Sequence, residues 1–389
     1  MSEHNPLAQE MTAQIQLGLP GTVGKLARQL RAIDRIAPQL KDGGLVRRLD
    51  VDRAPSRRAV GIAVAHRKIG AFGGLLYAIG ALAHELTASG GDVAHIRQVS
   101  RMDVGDMSLL EADRRLKWKS YALVYDLLDE LFADDDLPDL VILDVPLVMG
   151  KAVYAQVLAD AESNRQLKGE IEDLKIRLND FWDRWADRCF PFDPNGPKVV
   201  SLHRGHFGGL LKLIERKGAE ISPDPIDPEV EELIRTKWVD VLSVGIDRVL
   251  RGILVPEHRT AAFTQDQDKL DKDAFPRSLV ERGRLAFHTL TGLRGQPVYV
   301  ETLGSAETWV ERGGAQALDA LAGDLLALTY FDSRKALPLP LWYAQSAVEI
   351  VKRKTPGGRG LLEFYKAETL RVMREEQVDQ AWLAGWEDE

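Results

Sequence analysis

Asp144 ends an apolar run, Leu140-Val141-Ile142-Leu143, and is followed by Val145 and Pro146. Continuous Leu/Val/Ile runs suit a strand covered on both faces, and proline cannot continue a hydrogen-bonding ladder. The run therefore predicts a buried strand that delivers Asp144 to its own end. Sheet ends are where α/β proteins place their chemistry. Asp is seldom buried alone, so the carboxylate is expected to be paired, bound to a metal, or at the rim of a cleft. A local role is equally open: capping a helix that begins near Lys151, or a turn with the backbone around Pro146.

Glu111 sits at the start of a helical pattern and could share a cleft with Asp144 if that helix packs beside that strand. Mg²⁺ and Mn²⁺ favour such oxygen ligands. Phosphodiester hydrolysis with two metals needs several carboxylates, because the ions stabilise both the attacking and the leaving oxygen. Asp103, Asp106 and Asp113 are near in sequence, but acids around a helix start commonly answer the helix dipole. His203-Arg204-Gly205-His206 follows a further strand and could meet a phosphate at a sheet edge, although the histidine spacing is not a helical zinc pair. There is no Gly-x-Ser-x-Gly, and Cys189 lies among aromatic and apolar residues, so a serine or cysteine nucleophile is not supported.

Several elements must position these groups. Leu17, Val23, Leu26, Leu30, Ile33, Ile36 and Leu40 predict a helical preface within 6–41, whole or broken near Gly18 to Gly21. Arg57 to His66 reads as a strand; the run from Leu75 is either its hairpin partner or a helix. Asp92 to Val99 is a strand, and Met107 to Phe132 a helix with Glu111 in its first turn. The proline-free stretch from Val153 to Arg188 predicts a long exposed helical arm, with Phe181, Trp182 and Trp185 packing on a neighbour. Lys198 to Arg204 is a strand, followed by a helix over 207–217. Late strands are expected at Arg284 to Leu290 and Pro297 to Thr302. Helices are expected at Ala306 to Leu328, Leu341 to Val351 and Leu361 to Trp386.

The chain of 389 residues is 45% apolar and can bury a sizeable core. Its single cysteine excludes an internal disulfide and any cysteine-cluster metal site. A net charge of −8 argues against a protein that coats nucleic acid through general basicity. The polar start and the lack of a long apolar stretch lead us to expect a soluble, cytoplasmic protein with no membrane contact.

The ordered set of segments resembles the NurA nuclease family, the DNA-end-processing partners of the hexameric HerA translocase. The likeness covers roughly residues 57 to 350: the Val60 to Val64 strand, Glu111, Leu140 to Leu147, Val199 to Arg204, Val298 to Glu301, and Leu337 to Gln345. It implies an α/β fold with an RNase H-like mixed sheet flanked by helices. The core would span 57–350 with the arm inserted at 152–190, between a helical segment at 1–56 and a helical tail at 351–389. It also implies a toroidal homodimer and a Mn²⁺- or Mg²⁺-dependent nuclease working with a HerA-type hexameric ATPase on DNA, in repair or antiphage defence.

Carried over by position, the metal ligands fall at Glu111 and Asp144, and the basic residue that meets phosphate falls at Arg204. The first-strand aspartate falls at Ala65, which cannot bind a metal. A tyrosine and a histidine fall near Leu337 and Gln345, and neither keeps its chemistry; together with Ala65 they favour natural divergence over an inactivating substitution. The implied alternative is a catalytically degenerate adaptor subunit of a HerA-type complex. A remoter one is a helical scaffold in which Asp144 is only a cap.

Overall fold

The computed structural model describes residues 6–52, 56–134, 136–149, 165–204, 222–230, 232, 236, 246–265, 275–291, 297–330, 336–352 and 360–376. Its strands are β1 (Val46–Arg48), β2 (Arg57–Ala71), β3 (Gly74–Ser89), β4 (Asp92–Met107), β5 (Leu140–Leu143), β6 (Lys198–Arg204), β7 (His258–Thr260), β8 (Phe263–Gln265), β9 (Arg284–Leu290) and β10 (Pro297–Leu303). The helices are α1 (Pro6–Asp42), α2 (Ala112–Phe132), α3 (Arg165–Trp185), α4 (Ile246–Ile253), α5 (Arg277–Arg282), α6 (Ala306–Glu311), α7 (Gly314–Tyr330), α8 (Leu339–Val348) and α9 (Leu361–Glu375).

All of these strands join one mixed sheet in the order β1-β7-β9-β10-β6-β5-β2-β3-β4, with β8 paired to β9. The pairs β2–β5 and β5–β6 are parallel and the rest are antiparallel. Counted from β2, the strands β4-β3-β2-β5-β6 stand in the order three-two-one-four-five of an RNase H-like core. All four residues of β5 are buried, as a central parallel strand requires.

The ambiguous run from Leu75 is a strand. Phe72 and Gly73 both take positive φ in a two-residue turn, which closes a tight β2–β3 hairpin in full register. β4 runs on to Met107, so the expected helix starts later, at Ala112, and Glu111 is its N-cap residue rather than part of its first turn.

Alternation divides the core. Val60, Ile62, Val141, Leu143 and Val199 face α2 and α3, whereas Ala59, Ala63, Ala65, Leu140, Ile142 and Val200 face α7 and α8. Gly61 lets α8 lie directly on the sheet: a Cβ there would fall 2.2 Å from the Leu341 nitrogen. α1 is one helix through Gly18 and Pro20. Ile33, Ala37 and Leu40 pack in a cluster with α4, β1 and β8.

The stretch expected as an exposed arm is packed against α2 where it is described. Leu167, Ile171, Leu174, Leu178, Phe181 and Trp182 of α3 are buried, because they recur at helical spacing on one face. The expected helix over Ala306 to Leu328 is divided into α6 and α7 around Gly313, whose φ is 102°. The residues expected as a helix over 207–217, His206, and the end of the C-terminal tail beyond 376 lie outside the described residues.

Candidate carboxylate site

Asp144 leaves β5 with its backbone still in register, donating its amide to the Ile62 carbonyl at 3.2 Å. Its side chain then bends back to the neighbouring strand. Oδ2 accepts the Val64 amide at 3.2 Å, where a continued strand would have offered a carbonyl. Oδ1 is buried with no hydrogen-bond partner. Burial pushes the carboxyl up to about 7, against the two amide contacts and the positive charge of Lys352, which pull it down.

The turn after Asp144 is held from three sides. Ser201 Oγ donates to the Val145 carbonyl at 2.5 Å and meets His203 Nε2 at 2.6 Å. Glu301 accepts the Leu147 amide at 3.2 Å and is ion-paired with Arg284. Tyr125 of α2 donates to the Leu147 carbonyl at 3.2 Å while accepting Trp182 Nε1 at 2.8 Å. Sequence reasoning passed over Glu301 and Ser201. Each is a polar residue inside the buried part of its strand, which marks a group in need of a partner.

Glu111 occupies a different setting. It takes a left-handed conformation at φ 50°, makes no side-chain cap, and pairs with Arg114 at 3.3 Å. From there α2 runs along β2: Asp113 bridges to Lys68 at 2.6 Å, and Ser120 Oγ lies 3.3 Å from the His66 ring. Burial, and then the negative charges of Asp144 and Glu301, push the hydroxyl of Tyr121 on α2 well up. Ten residues of helix, about 15 Å of rise, separate Glu111 from Tyr121.

Ala65 is buried in the cluster beneath α8 with Ala344 and Val348. Leu337 is buried in the same cluster, and Gln345 is half-buried. Arg204 ends β6 with its backbone opposite Val298. Cys189 is buried, and burial pushes its thiol up to about 12, the environment of a packing residue.

The orphaned Oδ1 of Asp144 suits a proton or one cation bond. Among the described residues no three His, Cys, Asp or Glu side chains converge as a metal-binding group. The donor set there does not fit a two-ion centre. A polar cavity of about 500 Å³ lies at the opposite ends of β2, β5 and β6, where Arg57, Arg188 and Lys198 face Asp136, Asp193 and Asp324. Its charges are mixed, and Arg57 and Lys198 both pair with Asp324. Among the described residues no helix is long and apolar enough to cross a membrane.

A mixed sheet in this order, with helices on both faces and an aspartate at the end of β5, is an RNase H-like fold. More particularly, the fold is NurA-like and divergent. The chain is similar to the crystal structure of the NurA nuclease from Sulfolobus solfataricus, with a TM-score of 0.56 at 12% identity over 96% of this chain and 98% of that one. It is also similar to a structure of NurA bound to dAMP and manganese, with a TM-score of 0.41 at 10% identity over 86% of this chain and 93% of that one. The sequence matches no protein-family model and no curated protein.

Proposed function

We propose that this chain is a NurA-like subunit of a HerA-type complex that acts at DNA ends, in repair or antiphage defence, and that it has lost hydrolysis. The observation that carries the reading is the setting of Asp144. One of its oxygens completes the β2–β5 ladder, and Ala65 on the neighbouring strand is a buried apolar residue that supplies no carboxylate. The likeness of fold to a NurA nuclease supports DNA as a partner.

A homodimer is supported by α1. Met11, Ile15, Leu19 and Val23 are exposed on the same helical face that buries Ile33, Ala37 and Leu40 farther along, and an apolar face of that length is normally covered.

A second reading keeps the enzyme: Glu111 and Asp144 hold Mn²⁺ or Mg²⁺, and Arg204 contacts phosphate. The buried, unpartnered Oδ1 of Asp144 favours it, as does the manganese of a NurA structure. One assay separates the two. Linear duplex and single-stranded DNA are incubated with the chain, a HerA-type ATPase, ATP and Mn²⁺ or Mg²⁺. The adaptor reading expects no cleavage. Metal-dependent cleavage that disappears in Glu111→Ala and Asp144→Ala would replace it with the nuclease.

A further inference from the structure

Among the described residues, a pair of histidines stands apart from the carboxylate site, on the other long hairpin of the sheet. His84 of β3 is buried at 2% exposure, His95 of β4 is exposed, and His84 Nε2 lies 2.8 Å from His95 Nδ1. Plain alternation would not bring these rings together. Glu85 pairs with Arg97, but Leu86 pairs with His95, so Ile96 is an extra residue in β4. That bulge turns the strand over: Val99 packs toward α2, whereas Val93 packs toward α8. His95 is thereby re-aimed onto the face that carries His84 and Gln98.

Two further contacts hold the pair. Gln98 Nε2 lies 2.7 Å from His84 Nδ1, and Tyr343 of α8 stacks on the His84 ring with centroids 4.8 Å apart and planes at 18°. With the Gln98 amide turned over so that its oxygen accepts Nδ1–H, the Nε2 lone pair of His84 is turned toward His95, the orientation a metal-ligating imidazole receives from its outer partner. The nearest carboxylate along β3, Glu85, points to the opposite face and is engaged by Arg58 and Arg97.

We propose that His84 and His95 form a binding site for one divalent transition-metal ion of the imidazole-preferring, square-coordinating class, Cu²⁺ or Ni²⁺, with water completing the exposed side. Metal–imidazole bonds of about 2.0–2.1 Å meeting at a right angle place two ring nitrogens about 2.9 Å apart, close to the separation found here, whereas a tetrahedral angle needs about 3.4 Å. Mg²⁺ and Mn²⁺ are disfavoured because the pair offers no carboxylate. Binding would join β3 to β4 beneath Tyr343 and stabilise the folded chain by mass action.

The test uses the metal-free full-length protein, titrated with Cu²⁺ and followed by electron paramagnetic resonance and thermal melting, beside His95→Ala. His95 is exposed, so its removal leaves the fold in place, and other ligands such as His4 are common to both proteins. The expected result is one more tightly bound Cu²⁺ per wild-type chain, with nitrogen hyperfine structure and a rise in melting temperature that the variant lacks. Equal uptake and identical spectra in the two proteins would overturn the proposal and leave the pair as a neutral imidazole–imidazole hydrogen bond.

Discussion

The Asp144 carboxylate accepts the Val64 amide at 3.2 Å, so a side chain supplies the rung of the ladder that follows the Ile62–Leu143 pair. The same group leaves its second oxygen buried and unpartnered. One residue therefore ends a strand, fixes the next turn and carries an unmet acceptor.

The carboxyl of Asp144 is raised to about 7 from an ordinary 3.8. Between those values the folded chain holds a proton that the unfolded chain has released. The group's contribution to stability therefore declines as pH rises through this window and is unfavourable above it. Asp144→Asn keeps an acceptor for Val64 and removes the charge. In the absence of divalent metal it should be more stable than wild type near pH 8, by on the order of 2 kcal/mol, and nearly equal near pH 4. Urea denaturation at both pH values checks this; a variant that is weaker at the higher pH would show that the ionised form is compensated in the fold.

Gly61→Ala drives a methyl group against backbone, because its Cβ would lie 2.2 Å from the Leu341 nitrogen and 2.3 Å from the Pro340 carbonyl carbon. Neither atom can rotate away. Displacing α8 should cost about 2–3 kcal/mol, seen as a lower urea midpoint with an unchanged slope.

Arg259 and Asp224 are both fully buried and joined at 2.7 and 2.8 Å; Asp319 adds a third contact to the guanidinium at 2.8 Å. Arg259→Met should cost about 3–5 kcal/mol by leaving the buried Asp224 charge with only Arg47, at 3.3 Å, to face it. Adding Asp224→Leu should recover part of that loss, and comparing the single and double variants by chemical denaturation measures it.

Tyr125→Phe removes the donor to the Leu147 carbonyl and the acceptor for Trp182 Nε1 in a closed interior. The expected loss is about 1–3 kcal/mol. Hydrogen exchange should quicken in 144–149 if this hydroxyl holds the turn, and a loss of stability without local exchange would assign it to α2–α3 packing alone.

Much of the sheet was legible before folding. β5 could be read because a parallel central strand needs apolar residues on both faces, and β9 and β10 because β-branched and aromatic residues stood between turn residues. The run from Leu75 was ambiguous, since fully buried strands and helices look alike without alternation. The burial of α3 was missed: a helix rich in Glu, Lys and Arg still hides one face when every third or fourth residue is apolar, as Leu167, Ile171, Leu174 and Leu178 are.

The sequence alone determined that an aspartate would stand at the end of a buried strand, since apolar continuity and Pro146 are local properties of the chain. It also determined that Ala65 could offer no ligand. Only the tertiary structure decided what surrounds Asp144, because Val64, Tyr125, Ser201 and Glu301 reach it, or the turn after it, from distant parts of the chain. The turn of His95 toward His84 was equally invisible, since it depends on one unpaired residue in the register of two strands.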